Sequence, residues 1–68
     1  MDIFAKRLKK LRVERCLSQN SLAKELGISQ AAIARWEAGL QTPNLEYLVL
    51  LAKFFKTTSD YLVGLSHH

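Results

Sequence analysis

Residues 19–38 read QNSLAKELGISQAAIARWEA, and the fold is decided by how this stretch bends. Leu22, Ala23 and Leu26 recur at helical spacing behind Ser18, a good N-cap. Gly27 ends that helix, since a left-handed backbone costs glycine nothing. Only Ile28 separates Gly27 from Ser29, the next N-cap. A second helix follows from about Gln30 to Ala38, with Ile33 and Trp36 facing inward and Gly39 closing it. Two helices joined by so tight a turn meet at a steep angle only where the crossing is small. Ala23 stands at that closest approach. Leu22, Leu26, Ile28, Ile33 and Trp36 fill the wedge behind it. At about 100° per residue, Gln30, Ala31, Ala34 and Arg35 share one outward stripe. A helix with a narrow, convex face of polar and small residues fits a DNA major groove.

Working outward, helical period continues and no segment alternates with period two for the length of a strand. Phe4, Leu8, Leu11 and the stem of Arg15 share a face, with Ala5 beside them, which predicts a first helix from about Asp2 to Arg15. Asp2 then lies near the positive end of its dipole. Lys6, Lys9, Lys10 and Glu14 point elsewhere. After the loop Leu40–Pro43, Asn44 caps a fourth helix, about Leu45 to Phe55, whose core stripe is Leu45, Leu48, Leu51, Ala52 and Phe55. Thr58 caps a last helix, Ser59 to Val63, which brings in Tyr61 and Leu62 before Gly64. The expected architecture is all-α: a compact five-helix bundle, one domain over 1–65, with a helix-turn-helix formed by helices 2 and 3. Ser66-His67-His68 is expected to be a frayed, disordered tail without function.

Tyr47, Leu50 and Phe54 fall about 100–160° away from Leu48, on a second apolar face of the fourth helix. A surface helix needs one such stripe, so the second predicts a further buried contact, a homodimer face used at least on DNA. The alternative is that Phe54 and Tyr47 tuck against the first or last helix and leave a monomer. Trp36, Phe4, Phe55 and Tyr61 fall on inward stripes and read as core rather than as a base-stacking platform.

Composition narrows the function. A chain of 68 residues buries only about 60% of its unfolded surface, but 49% hydrophobic residues make an unaided core feasible. One cysteine, Cys16, allows no intrachain disulfide, and His67 and His68 at the extreme end make no zinc site. No metal and no cofactor is implied. The apolar run Leu48–Ala52 is too short for a membrane, and the charged start lacks the apolar stretch of a signal peptide. The chain reads as soluble, reduced and cytoplasmic. No Ser/His/Asp or Cys/His grouping and no phosphate-cradling glycine loop is present, so it does not read as an enzyme. A net charge of +4 suits an anionic partner, nucleic acid first. Lys6, Arg7, Lys9, Lys10, Arg12 and Arg15 carry most of that charge within ten residues, where they also make an ordinary solvated face.

A larger pattern runs through Leu17-Ser18-Gln19, Leu22-Ala23, Leu26-Gly27-Ile28-Ser29, Ile33, Trp36-Glu37, Gly39 and Pro43. It continues through Leu48, Leu51-Ala52, Asp60-Tyr61-Leu62 and Gly64. In these residues the chain resembles the helix-turn-helix family of the phage Cro and lambda-type repressors, also called the xenobiotic-response-element family. The resemblance covers about Phe4 to Leu65. It implies a sequence-specific transcriptional regulator of bacterial or phage type, most commonly a repressor, whose partner is a double-stranded DNA operator.

Carried over residue by residue, the resemblance places Gln30, Ala31 and Arg35 on the bases, with Ala34 on the same stripe. Gln30 suits adenine, Arg35 a guanine or a phosphate, and Ala31 a thymine methyl. It places Gln19 on a phosphate, with Ser18 and Ser29 at the two helix starts beside it. Arg12 and Glu37 match a pair that locks the first helix to the recognition helix and aims the arginine at the DNA backbone. Against these stand plainer readings: Gln19 as an exposed helix start, Arg35 paired with Glu37 or solvent, and Glu37 exposed. The loop after the third helix is basic in some relatives, but here it is Leu40-Gln41-Thr42, so phosphate contacts there fall to backbone amides, Gln41 and Thr42. Many relatives have glycine where Cys16 stands. A left-handed backbone at that point strains cysteine by about 1 kcal/mol or more. A redox role for Cys16 has no support. The rival class is a protein-interaction or antitoxin-like module on the same fold, which predicts large apolar residues on the outer face of the third helix.

Overall fold

Small polar residues open four of the five helices of the computed structural model, which describes residues 2–67. Helix α1 spans Asp2–Glu14, α2 Gln19–Leu26, α3 Gln30–Glu37, α4 Leu45–Phe54 and α5 Ser59–Val63. Ahead of α2, α3, α4 and α5, the side chains of Ser18, Ser29, Asn44 and Thr58 accept from the amides of Ser21, Ala32, Tyr47 and Tyr61. Each bond satisfies an amide that the first turn leaves without a helical partner. Helices α1, α3 and α4 end one residue before the expected Arg15, Ala38 and Phe55. Ala38 and Phe55 serve as C-caps, and Arg15 begins a turn. The side chain of Asp2 and the last tail residue, His68, lie outside the described residues.

All five helices stop in the same way. A residue with positive φ donates its amide three residues back, and the next amide reaches five back. Gly27 to Lys24 with Ile28 to Ala23 is one case; Cys16 to Val13 with Leu17 to Arg12 is another. Gly39 and Gly64 close α3 and α5 in this geometry. At α1 and α4 the left-handed position falls on Cys16, φ 58°, and Lys56, φ 55°. A Cβ there crowds the following carbonyl by about 1–2 kcal/mol. Glycine removes that strain but gives back about 0.5–1 kcal/mol in unfolded-chain entropy. Cys16→Gly and Lys56→Gly are each expected to stabilise by about 0.5–1 kcal/mol, read as a higher urea midpoint at constant slope. A lower midpoint for both would contradict the strain.

Every helix contributes to the core. Phe4, Leu8, Leu22, Ile33, Leu51 and Leu62 are wholly buried, with Ala23, Trp36, Ala52 and Phe55 around them. Helix α3 packs on α2 and α1, and α5 packs on α1 and α4. Ala23 is 4% exposed, consistent with its place at the crossing of α2 and α3.

Three expectations change. Leu45 is not core: at the first position of α4 it is 73% exposed, because no neighbour reaches that end of the helix's apolar stripe. Arg15 is exposed rather than packed by its stem, and its guanidinium lies 5.1 Å and 5.2 Å from the ring centres of Phe54 and Phe55. Phe54 is half-buried, edge-on to Phe55, on the rim of the core. Tyr61 is half-buried beneath Arg7, whose Nη1 donates to the carbonyls of Tyr61 and Ser66. That clamp holds α5 to α1 and reaches the carbonyl of Ser66 beyond α5.

Candidate nucleic-acid interface

Helix α3 owes its position to Ile33 and Trp36, which anchor one side in the core. The opposite side carries Gln30, Ala31 and Arg35, all exposed, with Ala34 half-buried beside them. The convex outer face contains no large apolar side chain. It presents an amide, two methyls and a guanidinium.

Behind that face runs a continuous polar line. Arg12 Nε donates to Glu37 Oε2 at 2.6 Å and Arg12 Nη2 to Glu37 Oε1 at 2.9 Å, a two-pronged pair between α1 and the end of α3. Arg12 Nη1 donates to the carbonyl of Leu17 at 2.8 Å, tying the α1–α2 turn to the same group. The two side chains are only 11% and 5% exposed. The hydrogen bonds that it donates to Glu37 hold the Arg12 guanidinium further into its protonated range. Burial pulls the other way, and the charge of Glu37 adds to the bonds. Glu37 is therefore neither exposed nor paired with Arg35. A guanidinium has five N–H donors, and these three bonds use three of them.

The line continues through α2. Gln19 Nε2 donates to Glu37 Oε1 at 3.2 Å, and Gln30 Nε2 donates to Gln19 Oε1 at 2.7 Å. Gln19 is half-buried and joins the ion pair to Gln30. Its isolated position gave no sign of that bridge. Arg35 turns the other way, donating from Nε to Gln41 Oε1 at 2.8 Å. Gly39, with φ 75°, folds the chain back so that Gln41 reaches α3. A cleft opens beside this contact, lined by Arg35, Trp36, Gln41, Thr42, Asn44 and Tyr47 among others.

The serines are partly committed. Ser18 Oγ accepts from the Ser21 amide and lies 3.0 Å from Ser21 Oγ as donor, while Ser29 Oγ accepts from the Ala32 amide and keeps its proton to give. Thr42 and Gln41 are exposed. On α4, Tyr47 leans on Trp36 with ring centres 5.8 Å apart and remains 40% exposed, and Leu50 is 37% exposed. Leu45 and Val49 are exposed on a different side of the same helix. No helix among the described residues is long and apolar enough to cross a membrane.

Comparison with known proteins agrees with this geometry. A helix-turn-helix family model matches residues 8–62. The chain is 42% identical over 61 residues to the HTH-type transcriptional activator BcrR of Enterococcus faecalis, covering 90% of this chain and 30% of that protein. It is 38% identical over 62 residues to the cryptic phage CTXphi transcriptional repressor RstR of Vibrio cholerae, covering 91% and 56%. To repressor protein C2 of Salmonella phage P22 it is 33% identical over 62 residues, covering 91% and 29%. The chain thus spans between about a third and just over half the length of these relatives. A match over most of its length, on a tight turn that sets one polar helix face outward, means that the chain belongs to the helix-turn-helix family of Cro and lambda-repressor type, a family of DNA-binding transcription regulators.

Proposed function

We propose that this chain is a sequence-specific regulator of transcription, acting in the cytoplasm as a repressor by laying α3 in the major groove of a double-stranded operator. The observation that carries the reading is the outer face of α3, where Gln30 is held out by a chain of hydrogen bonds reaching back to the Arg12–Glu37 pair. Residues 1–65 act as the DNA-binding unit. Gln30, Ala31, Ala34 and Arg35 read base edges, which gives selectivity. Arg12, Ser18, Gln19, Ser29, Gln41 and Thr42 sit along the phosphates, which supply most of the affinity. No reaction is catalysed and no cofactor is needed. Two relatives that are repressors support repression as the direction of control. The absence of large apolar groups from the α3 face speaks against an antitoxin-like or other protein-binding role there.

Gln30→Ala and Arg35→Ala are each expected to relax discrimination at individual base pairs by about 1–3 kcal/mol. Gln19→Ala reaches a phosphate contact as well and should weaken all duplexes. Binding measured against duplexes varied one base pair at a time tests this. If both α3 variants keep the full sequence preference, the base-reading assignment is wrong.

A homodimer on DNA completes the proposal. One α3 spans only a few base pairs, whereas a two-fold pair reads half-sites about 34 Å apart. Tyr47 and Leu50 keep apolar surface exposed on α4, and Phe54 adds its rim. Tyr47→Lys and Leu50→Lys are expected to lower operator affinity at least tenfold and to leave one protomer per complex in sedimentation. A single protomer on the operator for the unaltered chain, with affinity unchanged in both variants, would remove the dimer face.

A further inference from the structure

Gln30 is exposed, yet its amide is not free to turn over. Its Nε2 donates to Gln19 Oε1 at 2.7 Å, and Gln19 Nε2 donates to Glu37 Oε1 at 3.2 Å, the same oxygen that takes an N–H from Arg12. The order of donors and acceptors along this line has one solution. An ionised carboxylate only accepts, so Gln19 must turn its NH2 group toward Glu37. Its carbonyl oxygen then lies at the far end, where Gln30 must meet it with an NH2 group of its own. Reversing either amide would set oxygen against oxygen. Gln30 is left with one N–H and its carbonyl oxygen, in a fixed order, for anything placed against α3.

We propose that Glu37 is a positioning residue for base selection: through Gln19 its carboxylate fixes which way round Gln30 presents its amide. Glu37 itself is 5% exposed, too covered to meet a base directly. The inference rests on the DNA-reading role proposed for Gln30. A fixed donor and acceptor match one base edge in the major groove, adenine's being the one that suits an amide. An amide released from Gln19 turns over and offers its donor and acceptor in either order, so it pairs with more than one base.

The test has two arms and three variants. Gln19→Met breaks the line while leaving the Arg12–Glu37 pair intact, so it serves even where Glu37→Gln unfolds the chain. Gln30→Ala removes the reader. In the free protein, the side-chain amide of Gln30 is expected to be rigid by 15N relaxation, and to become as mobile as that of exposed Asn20 in Gln19→Met and Glu37→Gln. On DNA, these two variants are expected to lose about tenfold in discrimination at the base pair read by Gln30, and none at the pair read by Arg35. Glu37→Gln should change nothing further when combined with Gln30→Ala. A Gln30 amide as mobile as Asn20 in the unaltered chain overturns the proposal. So does discrimination lost in Gln30→Ala but kept in Gln19→Met and Glu37→Gln, which leaves DNA reading by Gln30 standing. Discrimination kept in Gln30→Ala as well overturns both.

Discussion

Leu22→Ala is expected to lower the melting temperature by about 12–24 °C, and Leu45→Ala by almost nothing. Both are leucines on apolar stripes, but Leu22 is 0% exposed and Leu45 73%. Truncating a buried leucine removes its transfer energy and leaves a cavity, together about 2–5 kcal/mol. A chain of this length has a total stability of roughly 3–10 kcal/mol. A loss of about 3 kcal/mol, at about 4–8 °C per kcal/mol, gives the shift stated. Leu22 also backs the turn that aims α3, so the variant should lose DNA binding along with its fold at the higher temperatures. Leu45 makes no core contact, and its truncation should stay within about 0.5 kcal/mol. Thermal unfolding followed by circular dichroism decides; a fall under about 5 °C for Leu22→Ala would mean that the core around α2 collapses onto the gap.

Raising salt from 50 to 200 mM is expected to weaken operator binding about 200-fold or more. Lys6, Lys9, Lys10, Lys24, Lys53 and Lys56 are all exposed, in a chain with 10 basic side chains against 6 acids. Neutralising roughly four phosphates per dimer gives a log–log slope of about −4, because each contact releases a condensed counterion. Arg12 is already engaged three times within the protein and Arg35 once. Much of the phosphate contact therefore falls to the other cations and to the helix starts at Ser18 and Ser29. Fluorescence anisotropy across a salt series measures the slope; a value near zero would exclude an electrostatic complex.

The helices were legible because their boundaries are chemical. Ser18, Ser29, Asn44 and Thr58 each offer a short acceptor just before an apolar repeat, and Gly27, Gly39 and Gly64 supply left-handed stops. Lys56 adopts the same left-handed state with no such signal, since the reversal of the chain after α4 imposes it. Periodicity names the face of a helix but not how far its neighbours extend. That is why Leu45, on the right stripe at the wrong end, lies in the open, and why Phe54, on the other face, still meets Phe55 where the helix stops. The outer stripe of α3 could be read from spacing alone. The bridge from Glu37 through Gln19 to Gln30 could not, because it depends on rotamers of long side chains across two interhelical gaps.

The most direct test of sequence-specific DNA reading is an affinity ratio. A duplex selected from random sequence and a scrambled duplex of the same length are compared at about 0.15 M salt, where non-specific electrostatic binding is weak. The expected ratio is about 10³ or more in favour of the selected site, falling toward one in the Gln30→Ala/Arg35→Ala double variant. Equal affinity for the two duplexes, or no binding to either even at low salt, would contradict it.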